Sequence, residues 1–357
     1  MTYLDYQATT PLAPEALDAM LPWLREGHAN PHSPHGAGRA ARAAVEVARA
    51  EIATLLPPGG RVVFTSGATE ALNWALKGTT GAITALASEH AAVLDTVASE
   101  AAHRSVHVVG VDRDGLADPQ DLAPAAGGIV EAMLVNNEIG VIQPIAAIAT
   151  RAHDAGALFL CDAVQGYGRV PIPEVCDLIA VSAHKIHGPK GVGALWIRDG
   201  IALAPLLHGG DQEGGRSGTL SPALCAGFGA AARMMRERAD ADAAHVARLW
   251  EVAVDRLRGW TINGSTEHRY PGNLNVRRDG LDVNRLMSDC RDIAFSAGSA
   301  CASGSGRASH VLRAIGLAEA EARSSIRLGF GRYTTEAELV SALGRIVAAA
   351  DAQRIAA

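Results

Sequence analysis

The sequence predicts an α/β fold: a mostly parallel sheet with helices on both faces. Three observations carry that prediction. Short continuous apolar runs, such as Val62-Val63-Phe64, Leu158-Phe159-Leu160-Cys161 and Leu178-Ile179-Ala180-Val181, alternate with helical patterns. Runs of this kind are strands buried on both faces, unlike the apolar–polar alternation of a half-solvated sheet. Polar residues then gather just past the strand ends, the edge at which open α/β sheets bind ligands. Finally, 357 residues with 48% hydrophobic and 20% charged side chains suffice for a large core and two domains.

The elements follow in order. Residues 1–36 read as loop around one short helix, with His28, His32 and His35 among two prolines. A metal is one reading of three histidines, but no Cys or carboxylate stands near them at ligand spacing, so a structured loop at the active site is expected. Residues 38–56 form an Ala-rich helix with Val45, Ala48, Ile52 and Leu55 on one stripe, ended by Pro57-Pro58-Gly59-Gly60. Residues 61–65 are a strand, Ser66-Gly67-Ala68-Thr69-Glu70 a turn, and a helix starts at Ala71. Such a strand–turn–helix unit offers backbone N–H groups to a phosphate, and equally suits a helix capped by Thr69. Strands follow at 83–86, 106–111, 129–135, 157–161 and 178–181, with helices from Ala91 and between Pro144 and Gly156.

Composition narrows the function classes. A net charge of −6 provides no basic field for nucleic acid or anionic lipid. No apolar run reaches membrane-spanning length, and Met1-Thr2-Tyr3-Leu4-Asp5 lacks the basic start and apolar core of a signal peptide. Five cysteines (Cys161, Cys176, Cys225, Cys290, Cys301) are an odd number without a C-x-x-C pair. A reducing, cytoplasmic location is therefore expected.

His90, Asn137, Asp162, Gln165, Ser182, His184 and Lys185 all fall just past predicted strands. Singly they have ordinary readings: His90 a helix cap, Asn137 an Asx-turn, Asp162 a turn residue, Lys185 a surface lysine. Together at one sheet edge, beside a phosphate-type turn, they match the needs of pyridoxal 5'-phosphate. That cofactor needs a carboxylate to keep its ring nitrogen protonated, which Asp162 can supply. His90 can stack on the ring, Gln165 can donate to its phenolic oxygen, and Gly67-Ala68-Thr69 can hold its phosphate. A lysine against an apolar wall can carry its aldehyde. Asp162 precedes Lys185 by 23 residues, which suits consecutive strands.

At this point the chain resembles the class V aminotransferase-like enzymes and, within them, the cysteine desulfurases that supply sulfur for iron–sulfur clusters. The resemblance rests on Tyr3-Leu4-Asp5-Tyr6, Ala8-Thr9-Thr10-Pro11, Phe64-Thr65-Ser66-Gly67-Ala68-Thr69-Glu70, Glu89-His90 and Val135-Asn136-Asn137-Glu138-Ile139-Gly140. It continues through Asp162-Ala163-Val164-Gln165, Ser182-Ala183-His184-Lys185, Arg216-Ser217-Gly218-Thr219, Ser296-Ala297-Gly298-Ser299-Ala300-Cys301 and Ser324-Ser325-Ile326-Arg327, nearly the whole chain in order.

The resemblance implies the PLP-dependent fold type I (aspartate aminotransferase-like), with a large cofactor domain at 13–235 and a smaller α+β domain from 1–12 and 236–357. It implies Lys185 as the cofactor lysine, His90 as ring-stacking and proton-handling residue, Asp162 as pyridine partner and Gln165 as phenolate partner. Asn137 lies beside cofactor and substrate, and Arg327 clamps the substrate carboxylate. Ala68 and Thr69 belong to the phosphate turn, with Ser182 and His184 as further phosphate ligands. Thr219 is implied as a phosphate ligand from a second subunit, which makes a homodimer the working state. Cys301 is implied as the nucleophile that takes sulfur from L-cysteine and passes it to an acceptor protein such as an iron–sulfur scaffold.

The residues around Cys301 argue the same way by themselves. Residues 296–306 are all small side chains. Such a segment cannot pack a core and is expected to move, as a sulfur carrier must. The other four cysteines stand in apolar or helical surroundings and read as core residues. Gln7, Val164 and Arg307 depart from the family's usual Ser or Asn, Thr, and nearby acidic residue or Pro. Selenocysteine lysis or amino transfer on the same fold is the alternative chemistry, and a non-catalytic, partner-docking subunit the alternative class. Cys301 argues against amino transfer, which needs no thiol. Intact Lys185, Asp162, His90 and Arg327 argue against the retired subunit.

Overall fold

The structure is a computed structural model describing residues 1–298 and 309–355, with side chains described to residue 353. Cys301 and Arg307 lie outside the described residues. In chain order the strands are β1 (Thr2–Tyr3), β2 (Gly60–Thr65), β3 (Ile83–Leu86), β4 (Val106–Val109), β5 (Ile129–Met133), β6 (Leu158–Asp162), β7 (Leu178–Ser182) and β8 (Gly193–Arg198), followed by β9 (Thr261–Ile262), β10 (Asn273–Arg277), β11 (Ile293–Ala294), β12 (Ser296–Ala297) and β13 (Ser325–Gly329). The helices are α1 (Pro14–Arg25), α2 (Gly36–Ala53), α3 (Ala68–Lys77), α4 (Ala91–Glu100), α5 (Ile145–Asp154), α6 (Pro222–Glu237), α7 (Ala239–Arg256), α8 (Val283–Asp289), α9 (His310–Ala314), α10 (Glu319–Arg323) and α11 (Glu336–Ile355).

The large sheet runs β2-β8-β7-β6-β5-β3-β4. Strands β3 to β7 pair in parallel, and β8 is antiparallel to both β2 and β7. This is the predicted α/β class. One face buries Val130, Phe159, Ile179 and Trp196 in a core with residues of α2 and α6, including Val45, Ile52 and Phe228. The other buries Ile129, Leu160, Leu178 and Leu195 in a core with α3 and α4. Each large side chain so buried contributes about 1.5–3 kcal/mol from area removed from water. Gly229 lets α6 approach α2: a Cβ there would stand 2.6 Å from Ala48 Cα.

A second sheet, β12-β13-β10-β9, is antiparallel. It packs with α7, α8 and α11 around Leu249, Leu274, Leu286, Ile326 and Leu328. On α11, Leu339, Leu343 and Ile346 form an apolar stripe fully buried in that core. The N-terminal segment ties the two sheets together. Strand β1 pairs with β11, Asp5 bridges to Gly329, and Thr10 and Ala13 donate backbone N–H bonds to the carbonyls of His184 and His187.

Several boundaries differ from the sequence reading. The strand expected over 129–135 stops at Met133, because Val135 leaves the ladder to bridge Ile142. The strand expected to Val111 stops at Val109. The helix expected from Gly38 starts at Gly36, since the His35 imidazole accepts the Gly38 N–H at 3.2 Å and serves as its cap. The helix expected from Ala71 starts at Ala68 behind Gly67, so Thr69 lies inside the first turn and is not the cap.

Candidate active site

A cavity of about 560 Å³ opens at the carboxyl edge of the parallel strands. The strand ends deliver polar side chains to it together, because the sheet's register aligns those ends. Asp162 pairs with Met133 of β5 and Ala180 of β7, so the ends of three strands lie side by side. Ala68 and Thr69 come from the start of α3, His90 from the cap of α4, and Asn137 from the loop after β5. Gln165 follows β6, Ser182, His184 and Lys185 end or follow β7, and Arg327 reaches in from β13 of the second sheet. These sequence-predicted residues line one cavity. Thr219 does not: it is exposed on the loop after Gly218. Cys301 lies outside the described residues.

Helix α3 begins without a side-chain cap, and its first turn, Gly67-Ala68-Thr69, faces the cavity. Its N–H groups and the positive end of its dipole are therefore presented to whatever fills that space. Strand β8 passes close beneath: a Cβ on Gly193 would meet the Gly67 backbone at 2.8 Å. Ser66 N–H donates to Glu70 at 2.7 Å, and Arg216 pairs with Glu70 at 2.8 Å. That pairing anchors the Gly-rich loop that carries Thr219 beside the same turn.

Lys185 Nζ donates to the carbonyls of Gln7 at 2.5 Å and Ala8 at 3.0 Å, while Arg169 holds the Lys185 carbonyl from behind. Asp162 is buried and accepts the Val164 N–H at 2.9 Å. Burial pushes its carboxyl up to about 6, against the opposing effects of that N–H and the Lys185 charge. His90 caps α4 by accepting the Ala92 N–H at 3.0 Å, and it also lines the cavity. Burial lowers its affinity for a proton, assisted by Lys185 and His310. Burial, Lys185 and Lys190 bring His184 down to about 4. Both imidazoles are neutral near neutral pH.

The Asx-type contact expected of Asn137 belongs to its neighbour: Asn136 Oδ1 accepts the N–H groups of Glu138 and Ile139. Asn137 instead lines the cavity, with Oδ1 buried and unpartnered among the described residues. Gln165 Nε2 donates to the Gln7 carbonyl at 3.0 Å.

Three features escaped the sequence reading. Asp5 pairs with Arg327, the Gln7–Ala8 carbonyls hold Lys185, and Glu131 is buried on β5 below the cavity. Asp5 lay within a recognised motif without a role, and Glu131 was hidden inside an apolar strand.

A buried carboxylate, an amine, an uncapped helix start and an unpartnered amide oxygen fit a phosphorylated heteroaromatic aldehyde. The comparisons with known proteins bear on the family. The family described as Aminotransferase class-V matches residues 2–342. A mitochondrial cysteine desulfurase of Saccharomyces cerevisiae is 44% identical, covering 94% of this chain and 72% of its own. A solved NifS-like protein superposes with a TM-score of 0.89 at 33% identity, covering 97% of this chain and 98% of its own. The solved complex of SspA with cysteine gives 0.82 at 33% identity, covering 94% and 100%. With its parallel sheet, its cavity at the strand ends and these relatives, the chain belongs to the class V aminotransferase family, among the cysteine desulfurases.

Proposed function

We propose that this chain is a cysteine desulfurase that uses pyridoxal 5'-phosphate to remove sulfur from L-cysteine, giving L-alanine and a persulfide on Cys301. The observation that carries it is the meeting of Lys185, Asp162, His90 and Arg327 in one cavity beside the uncapped start of α3. When bound, the cofactor supplies an electron sink for bond breaking next to the amino-bearing carbon. Lys185 Nζ holds its aldehyde carbon, and Asp162 holds the proton on its ring nitrogen. The α3 turn with Ala68, Thr69, Ser182 and His184 holds the phosphate, and Gln165 donates to the phenolic oxygen.

Arg327 binds the substrate carboxylate with its planar fork. Asn137 borders both cofactor and substrate. His90, neutral in this setting, stacks on the ring and carries protons to and from the substrate. The Cys301 thiolate attacks the substrate sulfur; a new S–S bond forms, the C–S bond breaks, and its electron pair stays with the carbon skeleton that leaves as alanine. The persulfide then passes to an acceptor protein such as an iron–sulfur scaffold.

The working unit in this reading is a homodimer. Thr219 is exposed on a loop with positive φ at Gly209, Gly210, Gly214, Gly215 and Gly218, well suited to project toward a second subunit's phosphate site. Residues 13–235 serve as the cofactor domain, with 1–12 and 236–357 as the smaller one. Buried, unpaired Cys161, Cys176, Cys225 and Cys290 support a reducing compartment, the cytoplasm.

Incubating the pure protein with L-cysteine tests the reading. Equimolar alanine and sulfide in the presence of a thiol reductant support it, and 3-mercaptopyruvate with a transferred amino group, or no turnover at all, overturns it.

A further inference from the structure

Beneath Asp162 lies a pair of acids that the mechanism does not use. Glu131 sits in the middle of β5, beside Ala85 of β3 and Leu160 of β6 in register. Its face of the sheet is the apolar layer of Leu72, Ala75 and Val93. Glu89 follows β3 and folds back so that its Oε1 accepts the Met133 N–H of β5 at 3.0 Å. Met133 and Glu131 are two residues apart and so point to the same face, about 7 Å along the strand, within reach of two extended carboxyls. Both acids have no exposed surface.

Their oxygens do not balance as two carboxylates. Both oxygens of Glu131 and Oε2 of Glu89 are buried without an N–H or O–H partner among the described residues. Neither acid forms an ion pair there. Two uncompensated charges side by side in an apolar layer cost far more than any neighbouring interaction returns. Protonation of both removes the two charges, and the Glu131 proton placed between them gives the facing oxygens a hydrogen bond. We propose that Glu131 is a neutral carboxylic acid at neutral pH, that it donates its proton to Glu89, and that this contact positions Glu89 on β5 so that Asp162 is the charged carboxylate of the group. The last clause rests on the reading of Asp162 as the partner of the cofactor nitrogen.

Burial and the neighbouring Glu89 and Asp162 hold the Glu131 proton well above the ordinary carboxyl range. Burial pushes Glu89 up to about 8, moderated by the Met133 N–H and by the bond from Glu131. The other titratable groups facing the pair are Asp162 on β6, His90 next to Glu89, and His310 of α9, whose Nε2 lies 2.7 Å from the Glu89 carbonyl. Cys161 of β6 lies on the neighbouring strand, and the hydrogen bond with Cys176 and burial are what raise its thiol. The charged residues of the two covering helices, Glu70 and Lys77 on α3 and Asp95 and Glu100 on α4, make no ion pair with either acid. Holding Glu131 and Glu89 neutral spares Asp162 a like charge that works against its own ionisation.

Infrared difference spectra of the full-length protein, wild type minus Glu131→Gln at about pH 7, test where the proton is. Loss of a protonated-carboxyl C=O stretch supports the proposal. Loss of carboxylate stretches overturns it. Glu131→Leu gives the same comparison if the Gln variant does not fold. A second readout tests positioning in the holoenzyme. Glu131→Gln keeps a donor and is expected to bind pyridoxal 5'-phosphate within about threefold of wild type, with the pH titration of the cofactor absorbance unchanged. Glu131→Leu has no donor and is expected to move the alkaline step of that titration upward, since the Glu89 anion loses its hydrogen bond. An unmoved step overturns the positioning role. An Asp162→Asn variant with a wild-type titration instead overturns the reading of Asp162 and leaves the infrared result standing.

Discussion

Arg327 Nη2 lies 2.8 Å from Asp5 Oδ1, a pairing between the last strand of the second sheet and the first loop of the chain. Ser296 Oγ donates to the same Asp5 oxygen at 2.8 Å, and Arg327 Nη1 donates to the Asn137 carbonyl at 3.1 Å. The guanidinium is thus aimed by three segments before any substrate arrives. Its side chain is 1% exposed, so the charge needs Asp5 in order to stay buried.

Replacing Arg327 by Lys keeps the charge and loses the fork. kcat/KM for L-cysteine is expected to fall by about 100-fold or more, while the cofactor absorbance stays at the wild-type position. An unchanged KM in steady-state kinetics removes Arg327 from the substrate carboxylate.

Lys185 is expected to be the covalent attachment point. Reduction of the holoenzyme with borohydride should add the cofactor's mass to the peptide holding Lys185, and Lys185→Ala should add none. Lys190 also lines the cavity and is the control. Mass on the Lys190 peptide in the Lys185→Ala protein reassigns the role.

Thr219 makes a prediction about assembly. Sedimentation is expected to give a dimer, and Thr219→Val should weaken cofactor binding by about tenfold through loss of one phosphate hydrogen bond. A fully active monomer removes the shared site.

The loop after Lys185 gives the protein an acid limit. His187 is buried, has φ 69 and bonds through Nδ1 to the Pro11 carbonyl at 3.0 Å. Burial and Arg169 bring it down to about 3 from the usual 6.5. The folded state therefore refuses a proton that the unfolded chain accepts. Its stability contribution is complete above about pH 6.5 and is lost as pH falls toward 3. His187→Asn removes the titration and tolerates the left-handed backbone. Urea midpoints between pH 7 and 5 should fall more steeply for wild type than for this variant, by about 1 kcal/mol per pH unit. Parallel lines exclude the imidazole.

Much of this site was legible because strand ends carry their chemistry next to apolar runs that are easy to see. Asp162 directly follows four apolar residues, Lys185 comes four positions after the end of another such run, and the sheet then places the two strand ends together. What the sequence hid depends on pairings distant in the chain. Asp5 meets Arg327 across 322 residues, and nothing local to either announces it. Thr69 looked like a cap because Gly67, with no side chain to accept an N–H, left no visible helix start. Glu131 was unreadable for another reason: a single acid inside an apolar strand looks solvent-facing until its neighbours on both sides are known to be buried.

The sharpest prediction separates binding from sulfur transfer. Lys185, Asp162 and Arg327 line the cavity, whereas Cys301 lies outside the described residues. Cys301→Ser should therefore keep the wild-type cofactor spectrum and still show a spectral change when L-cysteine is added. Turnover should nonetheless fall by several orders of magnitude, as is usual when a covalent nucleophile is lost. The remaining thiols make the control. Cys161, Cys176, Cys225 and Cys290 are buried, and burial raises the Cys225 thiol to about 12, so it is not a thiolate at neutral pH. Their Ser variants should keep desulfuration, apart from stability losses of roughly 1–3 kcal/mol for a buried hydroxyl. Alkylation after a single turnover should place the extra sulfur on the Cys301 peptide. Sulfur on any other cysteine, or a Cys301→Ser enzyme near full activity, would require a transfer route that does not pass through this residue.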